Sequence, residues 1–270
     1  MNNSYKLPEW HPHEATWLAW PHSLHDWPGK MAALNWVFVE IVRRIAEGEK
    51  VNVITKSESH KARVSKYLRD SGLNSKDIIL HIIPTNRSWA RDFGPIFVKN
   101  VIDNQVTICD FKFNSWARYS DWQLDDSVAR IVSSNLNIPI IEPLLSNGDR
   151  FVLEGGGIDV NGDGVLLTTE ECFLDQKVQV RNPGLKKKIL ESIFKKYLGI
   201  KKTIWLGQGI KGDDTHGHID DLCRFVNKNT VLLCREKNEN DDNYLPLKNN
   251  KELLEGQIIE NGDSLNIIDL

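Results

Sequence analysis

What most constrains this chain is an alternation of short β-branched runs with amphipathic stretches that stop on glycine. Residues 51–55 are such a run and read as a buried strand. Before them, residues 30–47 carry Leu34, Val37, Phe38, Ile41, Val42 and Ile45 at helical spacing, with Gly48 as the stop. A second helix is expected over 57–70, stopped at Gly72. Another runs from Asn182-Pro183 to about residue 198, stopped at Gly199. Strands are expected at 78–83, 96–99, 106–111, 139–142, 158–160, 165–168, 203–206, 230–233 and 264–269, with a helix over about 125–135. From residue 234 to about 250 the chain reads as a polar segment. The order strand, strand, helix, strand recurs at intervals of about fifty residues, which predicts a pseudo-symmetric α/β array.

With 270 residues the chain is long enough for a sizeable core and is read as a single domain over residues 1–270. A net charge of −3 leaves no basic footprint, so neither nucleic acid nor a membrane surface is an expected partner. There is no apolar leader and no run of spanning length. The four cysteines, Cys109, Cys172, Cys223 and Cys234, are scattered and make no C-x-x-C pair, which fits a reducing cytoplasm. Nothing here fixes the oligomeric state, and a homodimer stays open.

Function-capable groups concentrate in three places. Residues 212–221 hold two histidines and four aspartates, with Gly212 and Gly217 to let the backbone turn. From Gly217 the pattern looks strand-like, which predicts that His218 and Asp220 share a face and offer a general acid/base beside a fixed carboxylate. Trp89-Ala-Arg-Asp92 lies in a loop; either it is a surface ion pair or its aromatics wall a carboxylate that takes a cation. Glu154-Gly-Gly-Gly157 follows a strand, where a glycine run lets backbone approach a ligand and Glu154 projects into that space.

Competing readings fare worse. His216-x-His218-x-Asp220 invites zinc, but the metallo-β-lactamase type of site wants a histidine where Asp221 stands. Asp159-x-Asn161-x-Asp163-Gly164 with Glu170 matches an EF-hand loop. Its β-rich flanks and Asn161-Gly162 make it a hairpin instead. No Walker spacing and no G-x-S-x-G elbow occurs, and no cofactor or metal is expected. Cys172 follows Glu170 and Glu171, which disfavour a thiolate, while Cys223 and Cys234 sit in apolar patterns.

Taken together, these motifs resemble the agmatine deiminase family, within the guanidine-modifying superfamily that includes bacterial peptidyl-arginine deiminase. The resemblance runs through Pro8-Glu-Trp10 and the segment from Ala15 to Pro21, then Asn86-Arg-Ser-Trp-Ala-Arg-Asp-Phe-Gly-Pro95 and Asp110-Phe-Lys-Phe-Asn-Ser-Trp116. It continues through Leu153 to Cys172, Arg181-Asn-Pro183, and Gly212 to Asp221. It implies a five-module α/β propeller (pentein) that hydrolyses agmatine to N-carbamoylputrescine and ammonia, a step toward putrescine. It also implies that Asp92 and Asp220 clamp the guanidinium, that His218 is the general acid/base, and that Glu154 orients His218. Trp89 and Trp116 would wall the ligand, and Asp214 (or Asp213) would meet the far amine.

One feature of the resemblance is missing. The family's attacking cysteine follows a glycine-rich run of the form Gly-Gly-Gly-x-Ile-His-Cys near the C-terminus, and residues 1–270 contain no such run. The expectation is therefore an incomplete propeller without its last module, poorly behaved because sheet edges and an apolar face are uncovered, and impaired in catalysis. The alternatives are an arginine or peptidyl-arginine deiminase and a non-catalytic guanidinium-binding protein.

Overall fold

The computed structural model describes residues 4–259 and 262–270. Its elements in chain order begin with β1 (Ser4–Lys6), β2 (Ala15–Ala19), α1 (Met31–Ile45), β3 (Lys50–Thr55), α2 (Glu58–Asp70) and β4 (Ile78–Ile82). Next come α3 (Ala90–Phe93), β5 (Ile96–Asn100), β6 (Val106–Cys109), α4 (Gln123–Asp126), α5 (Val128–Leu136) and β7 (Ile140–Ile141). Then follow β8 (Asp159–Val160), β9 (Val165–Thr169), α6 (Glu170–Leu174), α7 (Lys187–Leu198) and β10 (Lys202–Leu206). The last are β11 (Cys223–Asn227), β12 (Thr230–Leu233), α8 (Tyr244–Leu254) and β13 (Asn266–Asp269). The class is α/β, as the alternation predicts.

Among the described residues the strands form four small sheets rather than one large one. Three share one plan: an antiparallel pair, a helical crossover, and a strand returning parallel to the second. β5 and β6 are followed by α5 and β7, β8 and β9 by α7 and β10, and β11 and β12 by α8 and β13. The fourth sheet is the parallel set β2-β3-β4, with α1 and α2 as crossovers. Strand β1 reaches across to pair antiparallel with β5, tying the start of the chain to a different sheet.

Helices form where the apolar stripe is strong. α7 buries Leu190, Ile193, Phe194, Tyr197 and Leu198 against the β8–β9–β10 side. Each such side chain stabilises by about 1.5–3 kcal/mol over its exposed state. The α7 stop is Gly199 at φ 71°, a left-handed cap. α2 begins at Ser57, whose hydroxyl accepts from the His60 amide.

Three local expectations need correcting. The stretch after Gly217 is not strand until Cys223. His216 and Gly217 have φ of 62° and 88°, which no strand accommodates, and the Asp213 carboxylate captures the amides of Thr215, Gly217 and His218 in a turn. The polar segment before residue 250 contains most of α8, with Leu247, Asn250 and Leu254 buried. Its apolar positions are too sparse for periodicity to register, and Pro246 is tolerated because it lies in the first turn. The helix expected over 125–135 is broken at Ser127 into α4 and α5.

The Asn161-Gly162 segment is a hairpin. Gly162 and Gly164 take φ of 80° and 100°, and the Asn161 side chain accepts from Asp163 and Val165 amides. Asp159 spends its carboxylate on the Phe225 amide and Arg224.

Candidate active site

Four loops bring the functional side chains together. Asp92 lies on α3, a single helical turn closed by Gly94. Its buried carboxylate accepts from the indole of Trp116 at 3.0 Å and from the Gly156 amide at 3.1 Å. Trp116 is presented by a turn in which Ser115, Trp116 and Ala117 all have φ between 52° and 60°. Left-handed backbone costs roughly 1–2 kcal/mol per non-glycine residue. Here the Asn114 carboxamide helps hold it by accepting from Ala117. Burial pushes the Asp92 carboxyl up, against the opposing pull of His218.

Glu154 is fully buried and ends an extended segment just before the tight turn Gly155–Gly157. Its carboxylate takes the Arg181 Nε at 3.0 and 3.2 Å. Arg181 is itself fixed by the carbonyls of Gln179 and Thr215. Burial alone would raise the Glu154 carboxyl, but Arg181 and His218 outweigh it and hold it below the usual range. A Cβ at Gly156 would stand 2.5 Å from His218 Nδ1 and 2.7 Å from Asp92 Oδ1, so only glycine lets the turn pass between these groups.

His218 is 2% exposed and sits among three carboxylates. Nδ1 lies 3.7 Å from Asp92 Oδ1 and 3.8 Å from Asp220 Oδ1, and Nε2 lies 3.7 Å from Glu154 Oε2. Burial works against an imidazolium, yet Asp92 and Glu154 prevail and push the pKa up to about 8. Asp220 keeps one edge toward His218, while its other oxygen is 3.3 Å from Arg91 Nε. Arg91 in turn donates to Glu9.

The structure thus groups Asp92, Glu154, His218, Asp220 and Trp116; the Trp89 carbonyl accepts from the Asp92 amide, and the Gln179 carboxamide bridges the carbonyls of Trp116 and Asp214. Trp89 is 41% exposed and stacks on Trp27 at 5.4 Å. Asp214 is exposed, and its carboxylate pairs with Arg118 at 2.6 Å and the Tyr119 hydroxyl at 2.8 Å. The Asp213 carboxylate is committed to the turn. Two residues of the cluster escaped the sequence reading. Arg181 is visible there only as part of Arg181-Asn-Pro183, and nothing local marks it as buried against Glu154. Arg91 reads as a loop arginine until Asp220 is placed beside it.

The His216–His218–Asp220 metal set does not assemble, because His216 turns to Asp175 at 2.8 Å and Glu171 at 3.7 Å. Among the described residues the donors that approach one another are Glu154, Cys172 and His218. All four thiols are unpaired and pushed up by burial: Cys109 to about 12, with Cys172, Cys223 and Cys234 shifted the same way.

Fold and cluster together define an α/β protein whose buried acid–base centre is assembled from separate loops. The chain belongs to the Porphyromonas-type peptidyl-arginine deiminase family, whose model matches residues 5–270. The agmatine deiminase of Stutzerimonas stutzeri is 36% identical over 250 residues, covering 90% of this chain and 63% of the relative. That of Pseudomonas aeruginosa is 34% identical over 251 residues, 90% of this chain and 64% of the relative. This chain therefore spans under two thirds of the length of these curated relatives. Among solved structures, the agmatine deiminase of Enterococcus faecalis superposes with a TM-score of 0.86 at 27% identity, over 99% of this chain and 70% of that one. A C. jejuni agmatine deiminase with substrate bound gives 0.81 at 31%, over 99% and 73%. No helix among the described residues is long and apolar enough to cross a membrane.

Proposed function

We propose that residues 1–270 carry the guanidinium-binding and proton-transfer part of an agmatine deiminase-type hydrolase, acting on agmatine and water to give N-carbamoylputrescine and ammonia. The observation that carries this is the placement of Asp92 and Asp220 on one side of a single imidazole, both within 3.8 Å of Nδ1. A guanidinium is planar with its donors in that plane, and two carboxylates separated by an acid/base group suit it. On this reading Asp92 and Asp220 hold the cation, His218 protonates the departing ammonia and then accepts a proton from water, and Glu154 with Arg181 keeps the imidazole in place. The likeness to agmatine deiminases supports the substrate. The threefold recurrence of one sheet plan supports a propeller of the pentein type lacking its last module, with residues 1–270 as a single domain. Unpaired thiols accord with a cytoplasmic setting.

The family reaction needs a thiolate to attack the guanidinium carbon. None of the four thiols here is activated, so these residues by themselves bind agmatine and turn it over far more slowly than an ordinary enzyme. Titration calorimetry with agmatine, arginine and a peptidyl arginine, run beside an ammonia-release assay, tests both halves. Binding of agmatine with little ammonia is expected. Absence of agmatine binding removes the clamp, turnover at an ordinary enzyme rate removes the claim about the thiols, and preference for arginine or its peptides reassigns the substrate.

A further inference from the structure

We propose that Cys172, His218 and Glu154 form a binding site for a thiophilic divalent cation of the zinc type, whose occupation disables the histidine. The three donors come from different segments, the turn at residue 154, helix α6 and the 212–221 loop, and all are buried. Their ligand atoms, one sulfur, one nitrogen and one oxygen, lie within 4.8 Å of one another. His218 Nε2 is buried and has no hydrogen-bond partner, with Glu154 Oε2 beyond bonding distance at 3.7 Å. A buried ring nitrogen facing a carboxylate and a thiol across that gap is an open coordination position.

Size and charge agree. Zinc with nitrogen at about 2.0 Å and sulfur at about 2.3 Å wants tetrahedral neighbours roughly 3.3–3.8 Å apart. The imidazole–carboxylate spacing of 3.7 Å is close to that, and the sulfur, within 4.8 Å, has to close by no more than about 1.3 Å. A thiolate in the set favours zinc or cadmium over magnesium or calcium. The charged groups facing His218 are Asp92, Asp220, Glu154, Asp213, Asp221 and Arg181. The metal takes the imidazole neutral and the thiol as thiolate, so a proton on either ligand atom leaves to solvent as the metal–nitrogen and metal–sulfur bonds form. Arg181 Nε reaches both oxygens of Glu154, Oε2 at 3.0 Å and Oε1 at 3.2 Å, so with Oε2 on the metal the ion pair is kept through Oε1. With Nε2 bound to the metal the ring is neutral, keeps its one proton on Nδ1 beside Asp92 and Asp220, and has no free nitrogen to accept another; that consequence, unlike the binding, rests on the deiminase reading above.

Cadmium titrated into the full chain at pH 7 in weak buffer is the test. One equivalent is expected to raise a thiolate-to-cadmium absorption band. Cys172→Ser is expected to abolish the band, and Cys234→Ser, at the half-buried thiol, to leave it. No band in the native protein, or a band that survives C172S, overturns the site. Should C172S fail to fold, X-ray absorption of the zinc-loaded native protein decides: one sulfur with one imidazole supports the site, and an oxygen-only shell overturns it. Failure of the metal-free protein to bind agmatine would count against the deiminase reading and leave these readouts untouched.

Discussion

His218 Nδ1 stands 3.7 Å from Asp92 Oδ1 with both side chains buried, so a carboxylate it does not hydrogen-bond helps hold the imidazole as a cation. The pKa is about 8 in the folded chain against 6.5 unfolded. A group raised on folding contributes stability that is complete below its unfolded pKa and is lost as pH rises through its folded one. Stability should fall by about 2 kcal/mol between pH 6.5 and 9 through this residue. Urea midpoints across that range should slope downward, and His218→Gln should flatten the slope. An unchanged slope in H218Q would assign it to other groups.

Arg181 and Glu154 are a buried pair, so removing one partner strands the other. Arg181→Met should cost about 3–5 kcal/mol, whereas the double variant with Glu154→Gln should recover much of that. Chemical denaturation of the two single variants and the double gives the coupling directly. Additive losses would mean the pair is not a unit.

Gly156→Ala places a methyl against His218 and Asp92. Overpacking of this kind costs about 1–3 kcal/mol. Because both neighbours belong to the proposed guanidinium site, agmatine binding should weaken more than stability does. Calorimetry and thermal melts on one preparation separate the two, and wild-type affinity would show that the turn has room.

Asp220→Asn keeps shape and removes charge. Hydrogen bonds to a charged partner contribute about 1.5–3 kcal/mol, so agmatine affinity should drop on the order of 10- to 150-fold. Asp103→Asn, on an exposed turn, should leave it unchanged. Equal affinity in D220N would remove Asp220 from the clamp.

Asp125 tests a structural acid. It is buried, accepts from the amides of Asn86 and Arg87, and burial pushes its carboxyl up to about 7. For a carboxyl raised on folding, stability is lost as pH climbs from 3.8 toward 7. Asp125→Asn keeps the acceptor without the charge and should match or exceed wild type at pH 8. Asp125→Ala should cost about 1–3 kcal/mol by stranding the amides. Denaturation at pH 5 and pH 8 distinguishes them, and a D125N loss confined to pH 8 would reverse the sign.

Much of this was legible beforehand, for local reasons. α1, α2 and α7 carry apolar residues at helical spacing and glycine stops, and the Asn161-Gly162 hairpin carries its own turn chemistry. α8 lacks that periodicity. The 212–221 loop misled because alternation there mimics a strand, while Asp213, which captures three amides, dictates a turn. His218 and Asp220 still come together, but through that turn rather than a shared strand face.

The sequence by itself determined the α/β class, the family, and the candidate set of Asp92, Glu154, His218 and Asp220. These are properties of residue type and of short-range order. Only the tertiary structure decided that Trp116 bonds Asp92, that the Asp214 carboxylate pairs with Arg118 and Tyr119, and that Arg181 is locked to Glu154. Those contacts join residues such as Glu154 and Arg181, 27 positions apart. Their pairing depends on how separate sheets pack, and no periodicity within a segment encodes it.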